Sequence, residues 1–265
     1  MSMISQEKRL DFKKRLRNRE LLFGGWVSFG HPSISEIFAR AGFDFLAIDI
    51  EHSTISQAEA QRIIAASQSY GVPCLPRAVS HNNDFIKPLL DSGADGLIVQ
   101  MMETPEQLSA VVDLVKFSPV GRRSFGVSRA QGYGFDFSTY VKEWNESSPF
   151  IIQIESKSGV ENIEKLVIHD QVDGVMIGPY DMSGSYGVPG EVQHPIVQEA
   201  ASRVIEACKK AGKACGTQIA DVTPDAVKKA VADGYTFIFF SSDLFILWKW
   251  SEQMQRIMKG FGKKL

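Results

Sequence analysis

Short apolar runs alternate along this chain with segments in which apolar residues recur at helical spacing. The pattern is clearest in the middle, where Phe150–Glu155 and Asp173–Gly178 are short runs rich in Ile and Val. Between them, Ser158–Ile168 repeats its apolar positions every three to four residues, which predicts a helix. A strand–helix–strand connection of this length makes the two strands parallel, so both are expected to end at the same edge of one sheet.

The same alternation extends over the whole chain, without a linker or a change in composition. It predicts a single-domain α/β fold in which eight strands alternate with helices, the pattern of a (β/α)8 TIM barrel. An open, doubly wound sheet is the alternative, but no Gly-x-Gly-x-x-Gly follows the first strand, which disfavours a dinucleotide-binding version. The predicted strands are 21–28, 43–49, 73–78, 96–101, 150–155, 173–178, 213–218 and 235–241. The predicted helices are a charged leading helix within 1–20, then 33–41, 56–70, 83–92, 104–117, 158–168, 195–211, 223–233 and 243–260, and a long irregular segment rich in Gly and Arg spans 118–134.

The bulk properties suit one barrel of this kind, because the chain has 265 residues and a hydrophobic content of 44%. A net charge of −2 gives it no general attraction to nucleic acid or to anionic membranes. No apolar run has membrane-spanning length, and Met1–Lys8 lacks the apolar core of a signal peptide. Cys74, Cys208 and Cys215 lie in apolar surroundings without metal-ligand spacing, so we expect reduced thiols and a cytoplasmic protein.

Two carboxylates stand out because each follows one of the central strands. Glu155 ends the fifth predicted strand, and Asp181 lies just past the sixth. Since parallel strands end at one edge, the two carboxylates are expected to converge, as the hard oxygen ligands of Mg²⁺ or Mn²⁺ do. The spacing alone also fits a solvated glutamate in a loop and an aspartate that, together with Ser183, caps a helix.

Other polar residues are expected at the same rim, because the chemistry of TIM barrels lies at the C-terminal ends of the strands. Glu51 and His52 follow the second strand, Arg77 ends the third, and Gln100 lies at the end of the fourth. Each also has a purely structural interpretation: His52 neighbours a helix start, and Arg77 suits an ordinary salt bridge. Polar groups at the ends of five of the eight strands are nevertheless more than a barrel rim with only a structural role requires.

Several longer motifs, taken together and in their order from about Gly24 to Ser241, resemble one known family. They are similar to the HpcH/HpaI family of metal-dependent, class II pyruvate aldolases, whose members include 4-hydroxy-2-oxoheptanedioate aldolase and 2-dehydro-3-deoxyglucarate aldolase. Any one motif alone would be weak, but their combination is specific. They are Gly42–Phe45, Asp49, Glu51–His52, Arg77, Leu90–Ala94, Gly121–Arg123 before Gly126, Gln153–Lys157, Ile177–Ser183, Gly187–Gly190 and His194–Pro195.

The resemblance implies a TIM barrel and a carbon–carbon lyase that cleaves or forms 2-oxo-4-hydroxy acids through a pyruvate enolate. It implies a divalent cation, Mg²⁺, Mn²⁺ or Co²⁺, held by Glu155 and Asp181 and chelated by pyruvate. Arg77 would face the keto oxygen, and His52, paired with Asp91, would be the acid/base element. The substrate-binding positions that it implies are Gln153, Gly178, Pro179, Tyr180 and Asp181, with backbone N–H groups around the last two holding the substrate carboxylate.

The chain departs from the family pattern at four positions. Tyr180 replaces a small residue, Met182 a leucine, Gln100 a frequent proline and Ser124 a glycine. Gln100 and Tyr180 flank the expected pocket, so they bear on the aldehyde acceptor and not on the metal or the enolate. Apart from Lys157, no lysine lies near the C-terminal end of a predicted strand, which disfavours a Schiff-base mechanism.

Two other functions stay open alongside the aldolase. One is a citrate-lyase-like acyl-CoA carbon–carbon lyase, disfavoured because no cluster of Lys and Arg suits the CoA diphosphate. The other is a non-catalytic sugar-acid-binding protein, disfavoured because a binder has no use for an acid/base pair. Arg123 and Arg129, in the long loop, either lie in solvent or reach an acceptor carboxylate or phosphate.

The C-terminal segment bears on assembly. Within residues 243–265, a predicted helix carries more apolar surface than one barrel needs, including Phe245, Trp248 and Trp250. The resemblance implies a hexamer, a trimer of dimers, in which the dimers exchange this helix. We therefore expect a homo-oligomer with its active sites near a subunit boundary, acting on small molecules, pyruvate and an aldehyde.

Overall fold

A computed structural model describes residues 6–263; the remaining residues of the predicted leading helix, 1–5, and of the C-terminal segment, 264–265, lie outside the described part. The eight strands are parallel and hydrogen-bonded in sequence order, and the first pairs with the last to close a barrel. This confirms the predicted (β/α)8 TIM barrel, and every strand boundary agrees with the prediction within two residues. The strands are β1 (Leu22–Val27), β2 (Phe45–Asp49), β3 (Cys74–Ala78), β4 (Leu97–Val99), β5 (Phe150–Ile154), β6 (Gly174–Ile177), β7 (Ala214–Ile219) and β8 (Phe237–Phe240).

Helices alternate with these strands on the outside of the barrel, and several begin with the capping groups that the sequence supplies. Ser56 and Thr104 each form a capping box with the residue three positions later, which satisfies two backbone N–H groups at the helix start. The α-helices are α1 (Gln6–Arg17), α2 (Pro32–Ala41), α3 (Gln57–Ser69), α4 (Asn83–Asp91), α5 (Pro105–Val115), α6 (Phe137–Ser147), α7 (Lys157–Glu161), α8 (Ile163–Val167), α9 (Pro179–Ser185), α10 (Pro195–Lys210), α11 (Pro224–Asp233) and α12 (Asp243–Gly260).

The helices differ from the prediction in three places. The single helix predicted at 158–168 divides into α7 and α8 at Asn162, whose side-chain amide donates to Glu103 O at 3.0 Å and to Ser158 O at 3.2 Å. Helices α6 and α9 were not predicted. The seven residues of α9 are too few to show a helical period, and its only local signal is Pro179 in the first turn.

Two apolar layers hold the barrel together. The outer layer lies between the strands and the helices, and the inner layer fills the barrel with side chains from alternate strand positions. The N-terminal end is closed by α1, whose Phe12 and Leu16 join the inner layer; the rings of Phe12 and Phe45 lie 5.0 Å apart. The opposite end, where the strands terminate, stays open for the site. No helix between Gln6 and Lys263 combines the length and the apolar character that a membrane crossing requires.

Candidate active site

A cavity of about 390 Å³ lies at the C-terminal ends of the strands, within the usual size range of small-molecule sites. Glu155 lies just behind its wall, while Asp91 does not belong to it. The cavity therefore gathers nearly every residue that the sequence pointed to. Those that line it are His52, Arg77, Gln153, Gly178, Pro179, Tyr180 and Asp181.

Glu155 is a buried carboxylate held by two donors. Only 2% of the residue is exposed; its Oε1 accepts from the Met101 backbone N–H at 2.8 Å, and its Oε2 accepts from the Gln153 amide. Burial raises the pKa of Glu155 to about 7, against the opposing effect of the Met101 N–H, and the charges of Glu51 and Asp181 raise it further. Carboxylates crowded in this way favour either a proton or a cation between them.

Asp181 reaches the same place because β5 and β6 are adjacent and in register, with Ile154 opposite Ile177. The chain turns from β6 into α9 at Gly178, and Asp181 lies in the first turn of that helix, in an exposed position. A Cβ at Gly178 would collide with Glu155 Oε2 and lie 2.9 Å from Gln153 Nε2. Glycine is therefore required for the start of α9 to approach the buried carboxylate.

Arg77 is fixed from several sides. Its Nη2 donates to Asp49 Oδ1 at 2.7 Å, its Nη1 lies 3.0 Å from Glu51 Oε2, and its guanidinium lies 4.9 Å from the centre of the Trp26 ring. Its Nη1 also reaches Gln153 Oε1 at 3.4 Å. Burial alone would raise the pKa of Asp49, but the charge and hydrogen bond of Arg77 outweigh it and lower the pKa. The cation is thus held in one orientation at the cavity wall.

Arg77 Nε is buried without a hydrogen-bond partner among residues 6–263. A buried guanidinium donor left unsatisfied in this way is uncommon in folded proteins. Arg77 lines the cavity, so its positive charge is available to a bound molecule, although its Nε atom has almost no accessible surface.

His52 lies at the mouth of the site. Its backbone N–H donates to Asp49 Oδ1 at 3.0 Å, which fixes the turn after β2, while 62% of its side chain is exposed. The ring Nε2 lies 3.7 Å from Glu51 Oε2. The imidazole is therefore open to solvent on one side and also borders the cavity that it lines.

Asp91, the partner expected for His52, lies elsewhere within the described chain. It is the last residue of α4, close to Asp95, whose backbone N–H donates to Cys74 O at the start of β3. Its Oδ1 accepts from Arg123 Nη2 at 2.9 Å. Because the starts and ends of the strands lie at opposite ends of the barrel, no pairing of Asp91 with His52 forms within one chain.

The two arginines of the long loop have structural partners. Arg123 is 4% exposed, donates to Tyr140 OH at 3.0 Å and stacks on Phe117 at 4.7 Å. Arg129 donates to Ser92 O at 3.0 Å and to Gln68 Oε1 at 2.7 Å. Neither lines the cavity, and both are paired within the chain, so their contacts match neither of the two alternatives left open by the sequence, a solvated surface or a reach toward an acceptor anion.

Three residues of this site have no role in the prediction from sequence. Asp49 and Trp26 hold Arg77, and Gln218 lines the far wall of the cavity. Of these, Asp49 could have been inferred from the sequence: in the parallel pairing of β2 with β3, it lies directly opposite Arg77. Opposite charges at equivalent strand ends suggest such a pair, although the register itself follows from the closed barrel.

The side chains available to bind a metal are few, and their donor atoms are hard carboxylate oxygens. Within residues 6–263, no three His, Cys, Asp or Glu side chains come together as a metal cage. Glu155 and Asp181 supply carboxylate oxygens, which suit Mg²⁺ or Mn²⁺ when water and substrate complete the coordination. The raised pKa of Glu155, caused by burial and by neighbouring carboxylates, agrees with a site that accepts a cation.

A buried arginine held between carboxylates at a barrel mouth, next to an exposed histidine, suits enzymes that make or break carbon–carbon bonds beside a carbonyl group. Comparison with known proteins agrees with that class. The sequence model of the family described as HpcH/HpaI aldolase/citrate lyase matches residues 22–249, so the chain belongs to this family. It is accordingly a carbon–carbon lyase of the aldolase type.

Individual relatives support the assignment. The chain is 34% identical over 234 residues to the 2-keto-3-deoxy-L-rhamnonate aldolase of Escherichia coli K12, covering 88% of this chain and 86% of the relative. It superposes with a TM-score of 0.87 on a family protein from Burkholderia cenocepacia J2315, at 32% identity, covering 94% of this chain and 99% of the other. It superposes with a TM-score of 0.84 on an HpcH/HpaI aldolase from Desulfitobacterium hafniense DCB-2, at 26% identity, covering 93% of this chain and 96% of the other.

Proposed function

We propose that the protein is a divalent-metal-dependent aldolase that cleaves 2-oxo-4-hydroxy acids to pyruvate and an aldehyde, and catalyses the reverse addition. The observation that carries this proposal is that Arg77 and Asp181 line one cavity while Glu155 lies just behind its wall. A relative named for a 2-keto acid substrate supports the same chemistry. Both directions balance without a further reactant: in cleavage the C4 hydroxyl loses a proton, the C3–C4 bond breaks to give the aldehyde and the enolate, and C3 of the enolate takes up a proton to become the methyl group of pyruvate.

Glu155 and Asp181 would hold the cation, Mg²⁺, Mn²⁺ or Co²⁺, which when bound polarises the keto oxygen of pyruvate as a Lewis acid and contributes several kcal/mol. Arg77, already immobilised by Asp49, would place its positive charge beside the oxygen on which negative charge develops. Its rigid attachment matters because a preorganised donor needs no rearrangement as the charge forms.

His52 would remove the proton from the C4 hydroxyl during cleavage and return it during addition, a role that suits an imidazole at the mouth of the cavity. Asp91 is proposed as its supporting acid, from outside the chain that supplies His52. Backbone N–H groups at Tyr180 and Asp181, with Gly178 and Pro179 shaping the turn, would hold the pyruvate carboxylate. Gln153 ties Arg77 to Glu155 and thus aligns both with the substrate.

An acyl-CoA lyase is the rival activity, and the cavity disfavours it. Its basic lining residues, among those that the structure describes, are Arg77 and His52, and Arg77 is already paired with Asp49 and Glu51. A CoA diphosphate would need cations that this lining does not offer.

We also propose a cytoplasmic homo-oligomer, a hexamer arranged as a trimer of dimers that exchange α12. The three buried, free cysteines support a reducing compartment. The exposed apolar side chains of α12, among them Trp248 and Trp250, support burial against another subunit.

The direct test is metal-dependent enolisation, followed as deuterium uptake at the pyruvate methyl group by NMR. Chelation should abolish the exchange and Mn²⁺ or Mg²⁺ should restore it, while Glu155→Gln and Asp181→Asn, each folded by circular dichroism, should neither bind metal nor exchange. The same protein should release pyruvate from 2-oxo-4-hydroxy acids in a lactate dehydrogenase assay. Exchange that survives chelation, or normal turnover in either variant, would overturn the proposal.

A further inference from the structure

The cavity is larger than one reacting end of the substrate requires. Its volume of about 390 Å³ would hold about a dozen water molecules at roughly 30 Å³ each, whereas pyruvate is a three-carbon acid. It extends from Asp181 around the rim to the ends of β7, β8 and β1 and to the first turn of α12. We call this second part the acceptor side, and its residues are Trp26, Ser28, Gln218, Ser242, Leu244 and Phe245.

The acceptor side has no charged side chain among its described lining residues. The charges of the cavity belong to its other part, where Asp49, His52, Arg77 and Asp181 lie. Two charged groups lie next to the acceptor side. Arg77 is 4.9 Å from the Trp26 ring but is already paired with Asp49 and Glu51, and Asp243 is 4% exposed, with a carboxylate that accepts from the Ser28 N–H at 2.8 Å. A carboxylate or phosphate on the aldehyde would therefore lose water without gaining an unpaired cation, which is strongly unfavourable.

The loop arginines that could have supplied that cation are engaged elsewhere. Arg123 pairs with Asp91, and Arg129 donates to Ser92 O and Gln68 Oε1. Within the described chain, the cavity thus offers an aldehyde only neutral contacts on this side.

Gln218 is the polar group best placed to select such a neutral molecule. Ala214 of the same strand packs inside the barrel, and Gln218, four residues later, lies on the same face at the cavity wall. Its half-buried amide makes no hydrogen bond to another residue between 6 and 263, so both a donor and an acceptor remain free. By contrast, Ser242 Oγ is engaged in capping α12 through the Phe245 N–H at 3.2 Å.

We propose that the acceptor side binds a neutral, hydroxyl-bearing aldehyde and excludes a carboxylated one, with Gln218 hydrogen-bonding the hydroxyl group of the aldehyde. Trp26, Leu244 and Phe245 pack against its carbon chain. The inference rests on the proposed aldolase function and narrows it to one class of acceptor. A neutral aldehyde that carries hydroxyl groups gains the hydrogen bond to Gln218 that an unsubstituted one lacks, whereas a charged aldehyde meets an uncompensated desolvation cost.

The test compares three aldehydes in the addition to pyruvate with Mn²⁺: glyceraldehyde, butanal and succinic semialdehyde. We expect the kcat/KM for glyceraldehyde to exceed that for butanal by about fivefold to tenfold, the scale of one hydrogen bond. It should exceed that for succinic semialdehyde by roughly a hundredfold or more, because the added carboxylate is unpaired. A preference for succinic semialdehyde in the wild-type protein would overturn the inference.

Substitutions sharpen the comparison. Gln218→Leu should lower the ratio of kcat/KM for glyceraldehyde to kcat/KM for butanal by about tenfold. Gln218→Arg should raise the kcat/KM for succinic semialdehyde by a similar factor. A ratio is independent of the fraction of folded enzyme, so partial misfolding does not obscure it. Gln61→Leu makes the same change at a half-buried glutamine of α3 outside the cavity and should leave the ratio unchanged. An unaltered ratio in Gln218→Leu would remove Gln218 from acceptor recognition.

Pyruvate deuterium exchange separates this inference from the function on which it rests, because the exchange involves no aldehyde. Loss of exchange in the metal-loaded wild-type protein would contradict the aldolase itself. Normal exchange together with a carboxylated preference would contradict only the assignment of the acceptor side.

Discussion

At the scale of single residues, Arg77 shows that the neighbours of a side chain define what it can do. A lysine would place one compact charge where the guanidinium contacts Asp49, Glu51 and Gln153 at once. The planar shape of the Arg77 guanidinium is therefore expected to matter for activity as well as its charge.

We predict that Arg77→Ala lowers kcat by roughly 10²–10³, the scale for losing one donor to a developing oxyanion. Arg77→Lys should recover little of this loss, since it cannot satisfy both carboxylates and the substrate. The measurement is pyruvate deuterium exchange with Mn²⁺ present. Arg122→Ala, at an exposed arginine paired with Asp113, is the control and should exchange normally. Undiminished exchange in Arg77→Ala would exclude the residue from the mechanism.

A second residue-scale prediction concerns Lys116, far from the cavity. It is fully buried, and its Nζ donates to Ser148 O at 2.9 Å and to Ser148 Oγ at 2.6 Å. Burial, together with the charge of Lys13, lowers its pKa well below the ordinary value. The unfolded chain therefore binds more protons at this position than the folded chain, so the stability that Lys116 contributes rises with pH.

Relative to Lys116→Met, the free energy of unfolding of the wild-type protein should increase as the pH rises toward about 10.4, by at most about 1.4 kcal/mol per pH unit. Urea unfolding of both proteins over this range measures the difference. A difference that is constant, or that falls with pH, would show that Lys116 stays charged in the folded protein.

At the scale of elements, the unit formed by β5, β6 and α9 places the two candidate metal ligands. Adjacent parallel strands bring their ends together, and Gly178 lets the start of α9 approach Glu155 without a steric conflict. The short helix then presents Asp181 in its first turn. Metal binding should depend on this close approach as much as on the carboxylates.

Gly178→Ala should weaken Mn²⁺ binding by about tenfold or more, because its Cβ displaces either Glu155 or α9. Titration calorimetry measures the affinity, and circular dichroism confirms the fold. The matched control is Gly184→Ala in the same helix, where a Cβ meets nothing within 4 Å. That variant should bind metal normally and gain about 0.5–1 kcal/mol of stability. Equal affinities in the two variants would contradict the proposed role of Gly178.

At the scale of the whole molecule, α12 leaves apolar surface uncovered by its own barrel. Trp250 is 58% exposed and Ile257 49%, and Asp243 is the only residue of α12 that is buried. The same helix begins at the cavity wall with Leu244 and Phe245. Covering its outer face by another subunit would therefore place an interface beside the site.

Light scattering should show an oligomer for the wild-type protein and smaller species for Trp250→Glu combined with Ile257→Glu, since buried charges without partners disrupt apolar interfaces. Ile168→Glu, at an apolar residue with 70% exposure outside α12, should leave the mass unchanged. A monomeric wild-type protein would end the proposal of exchanged helices.

The separation of His52 from Asp91 leads to a further whole-molecule prediction. If Asp91 supports His52, it does so from another copy, since within one chain it lies at the opposite end of the barrel and pairs with Arg123. Co-expressed His52→Ala and Asp91→Ala subunits, each inactive alone, should then regain about a quarter of the wild-type activity in a random mixture of dimers. No recovery in verified mixed oligomers would remove Asp91 from the acid/base element.

The amino-acid sequence by itself determined the order and approximate limits of the eight strands and the rim position of Glu155, Arg77 and His52. These features follow from local periodicity and from the rule that parallel strands end together, so nearby residues suffice to infer them. The C-terminal helix 243–260 was likewise predicted with its observed limits, because its apolar pattern is long and continuous.

Only the tertiary structure decided which groups touch. The pairing of Asp49 with Arg77 depends on the register of β2 against β3, and that of Asp91 with Arg123 on how a long loop folds back. The free amide of Gln218 in the cavity is likewise a consequence of barrel closure. Register, closure and loop packing are set by contacts between residues far apart in the chain, and local periodicity carries no information about those contacts.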